Sequence, residues 1–300
     1  MEKNILVPID FKEPSVKAAN YACLMADKFN AGLILLYVID TPGLLAQFFS
    51  SGDHLVKITD EAKEKMYKLA NALSQKNEKI NIKTKVERGK PYQKILEIAK
   101  ETGALMIILG ENHHLSDTDD ELGTTIYHIT LKSPIPVLTI KGDTEKMNDR
   151  ILVPLDLTKK TSEQLSCALY FGTIQGATIY LVSSLIGGIE KKESRIYKKL
   201  KEAKKALKAN GVKSKMKLFD RSETPPFMKV LQYAEKIDAG MILIMTHQEG
   251  YTHDNYIGAF AHHILNKSKV PVLSITSLSP GIKLKNVFKV IVDPIGLFAK

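Results

Sequence analysis

Two stretches of the chain open almost identically. Asn4-Ile5-Leu6-Val7-Pro8-Ile9-Asp10 is matched by Arg150-Ile151-Leu152-Val153-Pro154-Leu155-Asp156, with Asp10 and Asp156 146 residues apart. Two more stretches close each copy: Pro134-Ile135-Pro136-Val137-Leu138-Thr139-Ile140 and Lys269-Val270-Pro271-Val272-Leu273-Ser274-Ile275. Their shared prolines, Pro136 and Pro271, stand 135 apart. A repeat of this period is the duplication of a whole domain, not a solenoid of short units. The fall from 146 to 135 implies a net deletion of 11 residues in the second copy. The expected place is the loop after the second strand, residues 41–58 against a shorter stretch near 185–190.

Within each copy, short apolar runs alternate with longer amphipathic ones. Strands are expected at 4–9, 32–39, 80–87, 104–109 and 135–140, with helices at 15–29, 59–76, 92–102 and 123–132. The second copy repeats the order, with strands at 150–155, 177–184, 214–219, 240–245 and 270–275 and helices near 160–174, 191–209, 226–237 and 258–267. Leu105-Met106-Ile107-Ile108-Leu109 is apolar at every position, as strands covered on both faces are. Strand–helix alternation then requires right-handed crossovers and a doubly wound parallel sheet. The expected fold class is α/β: two tandem Rossmann-like domains at 1–143 and 148–278, with a C-terminal extension at 279–300. Ligands of such sheets bind outside the carboxyl ends of the strands, where Asp10, Gly110, Asp156 and Thr246 fall.

Composition bounds the class of partner. With 44% hydrophobic and 25% charged residues the chain reads as a globular protein. Its apolar runs are too short for a membrane span, and Pro8 and Asp10 interrupt the first one too soon for a signal peptide. A cytoplasmic location with no membrane partner is the expectation. The net charge of +10 favours anionic partners without selecting one. Cys23 and Cys167 lie on amphipathic stretches without metal spacing and read as small buried apolar residues.

The opening strand ending Val7-Pro8-Ile9-Asp10, the run Ile107-Ile108-Leu109-Gly110 with Gly123-Thr124 after a loop, and the closing Ser133-Pro134-Ile135-Pro136-Val137-Leu138 together resemble the universal stress protein family. The resemblance spans roughly residues 3–141 and 149–276. That family's ATP-binding pattern is Gly, two residues, Gly, nine residues, Gly, then Ser or Thr. Here Gly110, His113, Gly123 and Thr124 fall in register, with His113 in place of the middle glycine. The resemblance implies a cofactor, ATP with Mg²⁺. Asp10 and Pro8 would lie on its adenine–ribose side, Val38 would touch the base, and Gly110, Gly123, Thr124 and Thr125 would meet the phosphates. Glycines let backbone approach phosphate oxygens, and the N-terminus of the helix near 123 attracts them. Thr124 is also a candidate cap for that helix. Asp117, Asp119, Asp120 and Glu121 oppose a triphosphate in the same loop. In the second copy Thr246 stands at the first glycine position and Glu249 at the second, the loop is one residue shorter, and Gly258-Ala259 replaces Gly-Ser/Thr.

Other clusters are weaker. His113, His114 and His128, and His247, His253, His262 and His263, gather near the same strand ends, without a tight His-x-x-x-His pair. With nearby aspartates they are candidate metal ligands, but exposed histidines explain them as well, and no metal ligand is assigned. The helix near 191–209 has a lysine-rich face opposite an Ile196, Leu200, Ala203 and Leu207 stripe. No aromatics interleave with the lysines, so nucleic acid is not expected. Residues 41–57 form an unusually apolar loop, suited to a lid or to packing. Val287-Phe288-Lys289-Val290-Ile291-Val292 has strand character and is expected to be tied down on the body or on a second subunit. The functional expectation is a stress-response regulator or sensor that binds a nucleotide in the first copy and forms a homodimer. The alternative is a nucleotide-free interaction or metal-binding protein with degenerate loops. No catalytic residue is assigned, and activity is expected to reach at most that of a slow ATPase.

Overall fold

The computed structural model describes residues 3–40, 52–111, 122–141, 148–156, 161–185, 194–246 and 257–276. His113, the acidic loop around it, most of the apolar 41–57 segment and the 279–300 extension therefore lie outside the described residues. The chain divides into two units, Met1–Lys146 and Met147–Lys300.

The first unit runs β1 (Asn4–Pro8), α1 (Glu13–Phe29), β2 (Gly32–Ile39), α2 (Gly52–Lys76), β3 (Ile82–Arg88), α3 (Pro91–Glu101), β4 (Met106–Glu111), α4 (Thr124–Lys132) and β5 (Val137–Lys141). The second runs β6 (Arg150–Pro154), α5 (Ser162–Gln175), β7 (Thr178–Ser184), α6 (Arg195–Ala209), β8 (Ser214–Phe219), α7 (Pro226–Lys236), β9 (Met241–Thr246), α8 (Ala259–Lys267) and β10 (Val272–Thr276). Strands lie in the order β3-β2-β1-β4-β5 in the first unit and β8-β7-β6-β9-β10 in the second. Every pairing within these two sets is parallel. This is the doubly wound α/β fold, formed twice. The strand order reverses between β1 and β4 and between β6 and β9, which is where the sheet offers a ligand crevice.

Local chemistry explains the element ends. Pro14, Pro91 and Pro226 sit in the first turns of α1, α3 and α7, where a missing N–H costs nothing. Asn30 closes α1 at φ 47°, and Gly176 closes α5 at φ 65° in the same left-handed role. The small residues Ala18, Ala19, Ala22 and Ala26 line the buried side of α1 and let it lie close on the sheet. One expectation fails: α2 begins at Gly52, so residues 52–58 belong to a helix and not to a loop. That stretch holds no proline to interrupt the helix.

The two faces of the first sheet differ in what covers them. Leu6, Ile34, Leu36, Ile107 and Leu109 pack with Ile95, Ile98 and Ala99 of α3 and Ile129 of α4. Alternation along the strands turns Ile5, Val7, Met106 and Ile108 to the other face.

Candidate functional site

Pro8 pairs with Leu36 in the β1–β2 register and stands two residues beyond Leu6, so it shares the face covered by α3 and α4. Val38, two residues beyond Leu36, packs partly buried against the same cluster with Tyr92 and Ile126. Helix α4 opens on this face. Its N-cap is Gly123, and among the described residues no side chain caps the first turn and no atom beyond the chain neighbours lies within 4 Å of where a Cβ on Gly123 would stand. Gly123 and Thr124 are exposed and Thr125 is half-buried. Thr124 is thus the first helical residue rather than the cap. Pro8, Val38, Gly123, Thr124 and Thr125 are brought to one side of the sheet.

Asp10 lies just past β1 in a tight turn. Its Oδ1 accepts from the Lys12 N–H at 3.0 Å, and its own N–H donates to Ser15 Oγ at 3.2 Å. Ser15 Oγ in turn donates to the Lys12 carbonyl at 2.9 Å. These bonds hold Phe11 between them at φ 63°, a left-handed conformation that side chains rarely adopt. The Phe11 ring lies 4.9 Å from that of Tyr37, with Lys65 Nζ 5.9 Å from its centroid. This aromatic pair beside Asp10 escaped the sequence reading, because neither ring belongs to a motif or a period.

Gly110 does not join the group. It follows Met106 and Ile108 in alternation, on the face covered by α1, and a Cβ there would overlap the backbone of Pro14. Packing of α1 onto β4 is by itself sufficient reason for glycine at this position.

The second unit corrects the sequence alignment. Gly110 pairs with Ile140 in the β4–β5 register, and Met245 pairs with Ile275 in the β9–β10 register. Met245, not Thr246, therefore occupies the first glycine position, and Thr246 corresponds to Glu111. From there to Gly258 is 13 residues, as from Gly110 to Gly123, so the two loops are equal in length. Sequence matching slipped by one because Thr246 resembles a phosphate-loop residue more than Met245 does. Gly258 is buried, unlike Gly123. At the strand-order reversal, buried Gln164 donates through Nε2 to the carbonyls of Pro154 (2.9 Å) and Leu243 (3.1 Å). The chain reversals after α1 and α5 match Ala26 with Gly172, which sets Ala18 at the position of Gln164. The second crevice is bridged by an amide where the first has a methyl group.

The histidine cluster divides on the structure. His128 stacks on Tyr92 with centroids 4.5 Å apart, and His263 on Phe227 at 4.3 Å. Both pairs tie a strand-connecting helix to its successor, and both leave a buried Nδ1 with no hydrogen-bond partner among the described residues. Among the described residues no three His, Cys, Asp or Glu side chains gather as a metal site. The cysteines are buried, and burial pushes the Cys23 thiol up to about 11 and raises Cys167 as well. On α6, Leu200, Ala203 and Leu207 are buried while Lys198, Lys201, Lys205 and Lys208 are exposed, a solvated basic face. Among the described residues no helix is long and apolar enough to cross a membrane.

Comparison with known proteins follows the same division into two. A family model described as the universal stress protein family matches residues 1–141 and again 147–275. Universal stress protein MJ0577 of Methanocaldococcus jannaschii is 29% identical over 159 residues, covering 47% of this chain and 96% of its own length. Universal stress protein YxiE of Bacillus subtilis is 28% identical over 148 residues, covering 47% of this chain and 100% of its own. The crystal structure of a universal stress protein from Archaeoglobus fulgidus covers 91% of this chain and 98% of its own at a TM-score of 0.73, with 21% identity, a likeness of fold. Matched twice, over most of its length, the chain belongs to the universal stress protein family.

Proposed function

We propose that the protein is a cytoplasmic stress-response regulator or sensor that binds ATP or a related nucleotide with Mg²⁺ in its first domain. The proposed domains are 1–143 and 148–278, followed by the 279–300 extension. The observation that carries this reading is the open N-terminus of α4 at Gly123, on the face shared by Pro8 and Val38. Unbonded backbone N–H groups at a helix start attract phosphate, and Thr124 and Thr125 add hydroxyl donors. Val38 and Pro8 offer apolar contact to a base. One oxygen of Asp10 is held by Lys12, and the other is the acceptor for a ribose hydroxyl. Mg²⁺ supplies the positive charge that the loop acids Asp117, Asp119, Asp120 and Glu121 make necessary. Gly110 contributes through its backbone and the packing of α1, and His113 remains a candidate loop contact.

The bridging Gln164, with Met245 at the first glycine position, favours the nucleotide-free reading for the second domain, as an interaction surface or the counterpart face of a homodimer.

Calorimetric titration of the full chain with Mg-ATP tests both domains. One Mg²⁺-dependent site is expected, lost in Gly123→Asp. No binding of any adenine nucleotide at millimolar concentration would replace this reading with the interaction-protein one. Binding that survives Gly123→Asp and disappears in Gly258→Asp would move the site to the second domain.

A further inference from the structure

The second unit carries a concave site away from its strand-order reversal. A cavity of about 650 Å³ opens at the carboxyl end of β8, between α6 and α7. The registers show what built it. Leu33 pairs with Ile82 and Ile179 with Ser214, so the shift between repeats is 146 at the second strand and 132 at the third. The helices that follow open at Pro91 and Pro226, 135 apart. The second unit has therefore lost 14 residues before β8 and gained three directly after it. Residues 221–225 occupy the place of the short 89–90 connection, and they supply Arg221, Ser222 and Thr224 to the cavity wall.

The strand and helix changed along with the loop. Lys217 matches Lys85, but Phe219 stands where the first unit has Glu87, and Tyr233 where it has Ile98. Lys217 Nζ lies 5.2 Å from the Phe219 centroid and 4.4 Å from that of Tyr233. An ammonium held over two rings is oriented as well as attracted. Lys229 donates to the Asp220 carbonyl at 2.8 Å, which fixes the second cation at the mouth. Tyr197, from the first turn of α6, joins Met216 and Leu218 in the lining, on the face of β8 opposite to Lys217 and Phe219, which turn to Tyr233 of α7. Asp220 is the acid among the lining residues, against Lys217, Arg221 and Lys229.

Cavities of this size take small organic molecules, with apolar walls for the body and a few polar groups for orientation. A guanidinium with neighbouring ammonium groups and hydroxyls selects phosphate. We propose that this groove binds a small aromatic phosphate monoester, its ring against Tyr197 and its phosphate on Arg221 and Lys229. The site shares no residue with the first-domain crevice, so neither reading depends on the other.

The test uses the full chain carrying Gly123→Asp, with phenyl phosphate as the probe, followed by phosphorus NMR of the ligand. Saturable binding is expected, weakened roughly tenfold by Arg221→Ala, which removes a charge-assisted bond from an exposed position. Lys229→Ala is expected to act in the same direction. Inorganic phosphate is expected to bind more weakly than phenyl phosphate. Equal affinity for the two, binding untouched by both substitutions, binding confined to the chain without Gly123→Asp, or no binding at millimolar concentration would each overturn the proposal.

Discussion

Gly110 and Pro14 meet backbone to backbone: a Cβ on Gly110 would overlap the Pro14 carbonyl and come within 2.7 Å of the Ser15 nitrogen. This contact fixes where α1 begins relative to β4, and with it the turn that presents Asp10. Gly110→Ala is accordingly expected to destabilise the protein by about 1–3 kcal/mol with or without nucleotide, since neither backbone has room to yield. Gly123→Ser provides the control. It adds a capping hydroxyl in open space at a φ of −52°, so stability should hold or rise by a few tenths of a kcal/mol. Urea midpoints of the two variants measure the contrast.

Glu111 and Lys141 form a buried ion pair at 3.2 Å, and the corresponding register pair in the second unit is Thr246 and Thr276. Glu111→Gln removes the carboxylate paired with a buried ammonium and is expected to cost about 3–5 kcal/mol. Replacing both residues by threonine, as the second unit has done, should cost distinctly less. Burial pulls the Lys141 pKa below its ordinary 10.5, with Glu111 opposing that fall. Between the folded pKa and 10.5 the unfolded chain binds the proton more readily. Stability from this group therefore rises with pH across that window and is flat below it. Unfolding free energies measured up the alkaline range should show this rise in the natural protein relative to the double-threonine variant.

Gln164 satisfies two backbone carbonyls, on Pro154 and Leu243, that diverging strands leave unpaired. Gln164→Leu keeps the volume but removes both bonds. The expected loss is about 1–3 kcal/mol for buried acceptors left without donors. Ala18→Gln, the reciprocal change in the first unit, is expected to weaken any nucleotide binding there by intruding on the strand reversal. Thermal melts of the first variant and titrations of the second read the two effects separately.

The stacks of Tyr92 on His128 and Phe227 on His263 recur at equivalent positions, and each joins two helices on one sheet face. A double-mutant cycle with Tyr92→Leu and His128→Leu should give a coupling of about 0.5–1.5 kcal/mol. The Phe227 and His263 cycle should give a similar value. A coupling near zero in both would show that the histidines are held by other contacts.

The duplication, the parallel sheets, the strand end that carries Asp10 and the helix start at Gly123 were legible in the chain itself. Apolar runs and amphipathic periods are properties of neighbouring residues, and they survive without reference to anything distant. The start of α2 was less legible, since residues 52–58 carry neither a clear stop nor a clear cap.

Other features depend on contacts that no local pattern encodes. The glycine pattern speaks only of phosphate at Gly110, whereas the packing reason for a glycine there is the backbone of Pro14, about a hundred residues away along the chain. It matched Thr246 to a glycine, but hydrogen-bond register between strands makes Met245 the equivalent, because pairing fixes position to the residue where composition does not. The same registers turn an apparent single deletion into a larger loss before β8 and a three-residue gain after it. Local periodicity thus determined the fold twice over. Which side chains face one another across it was decided by strand pairing and helix packing, which act between residues far apart in the chain.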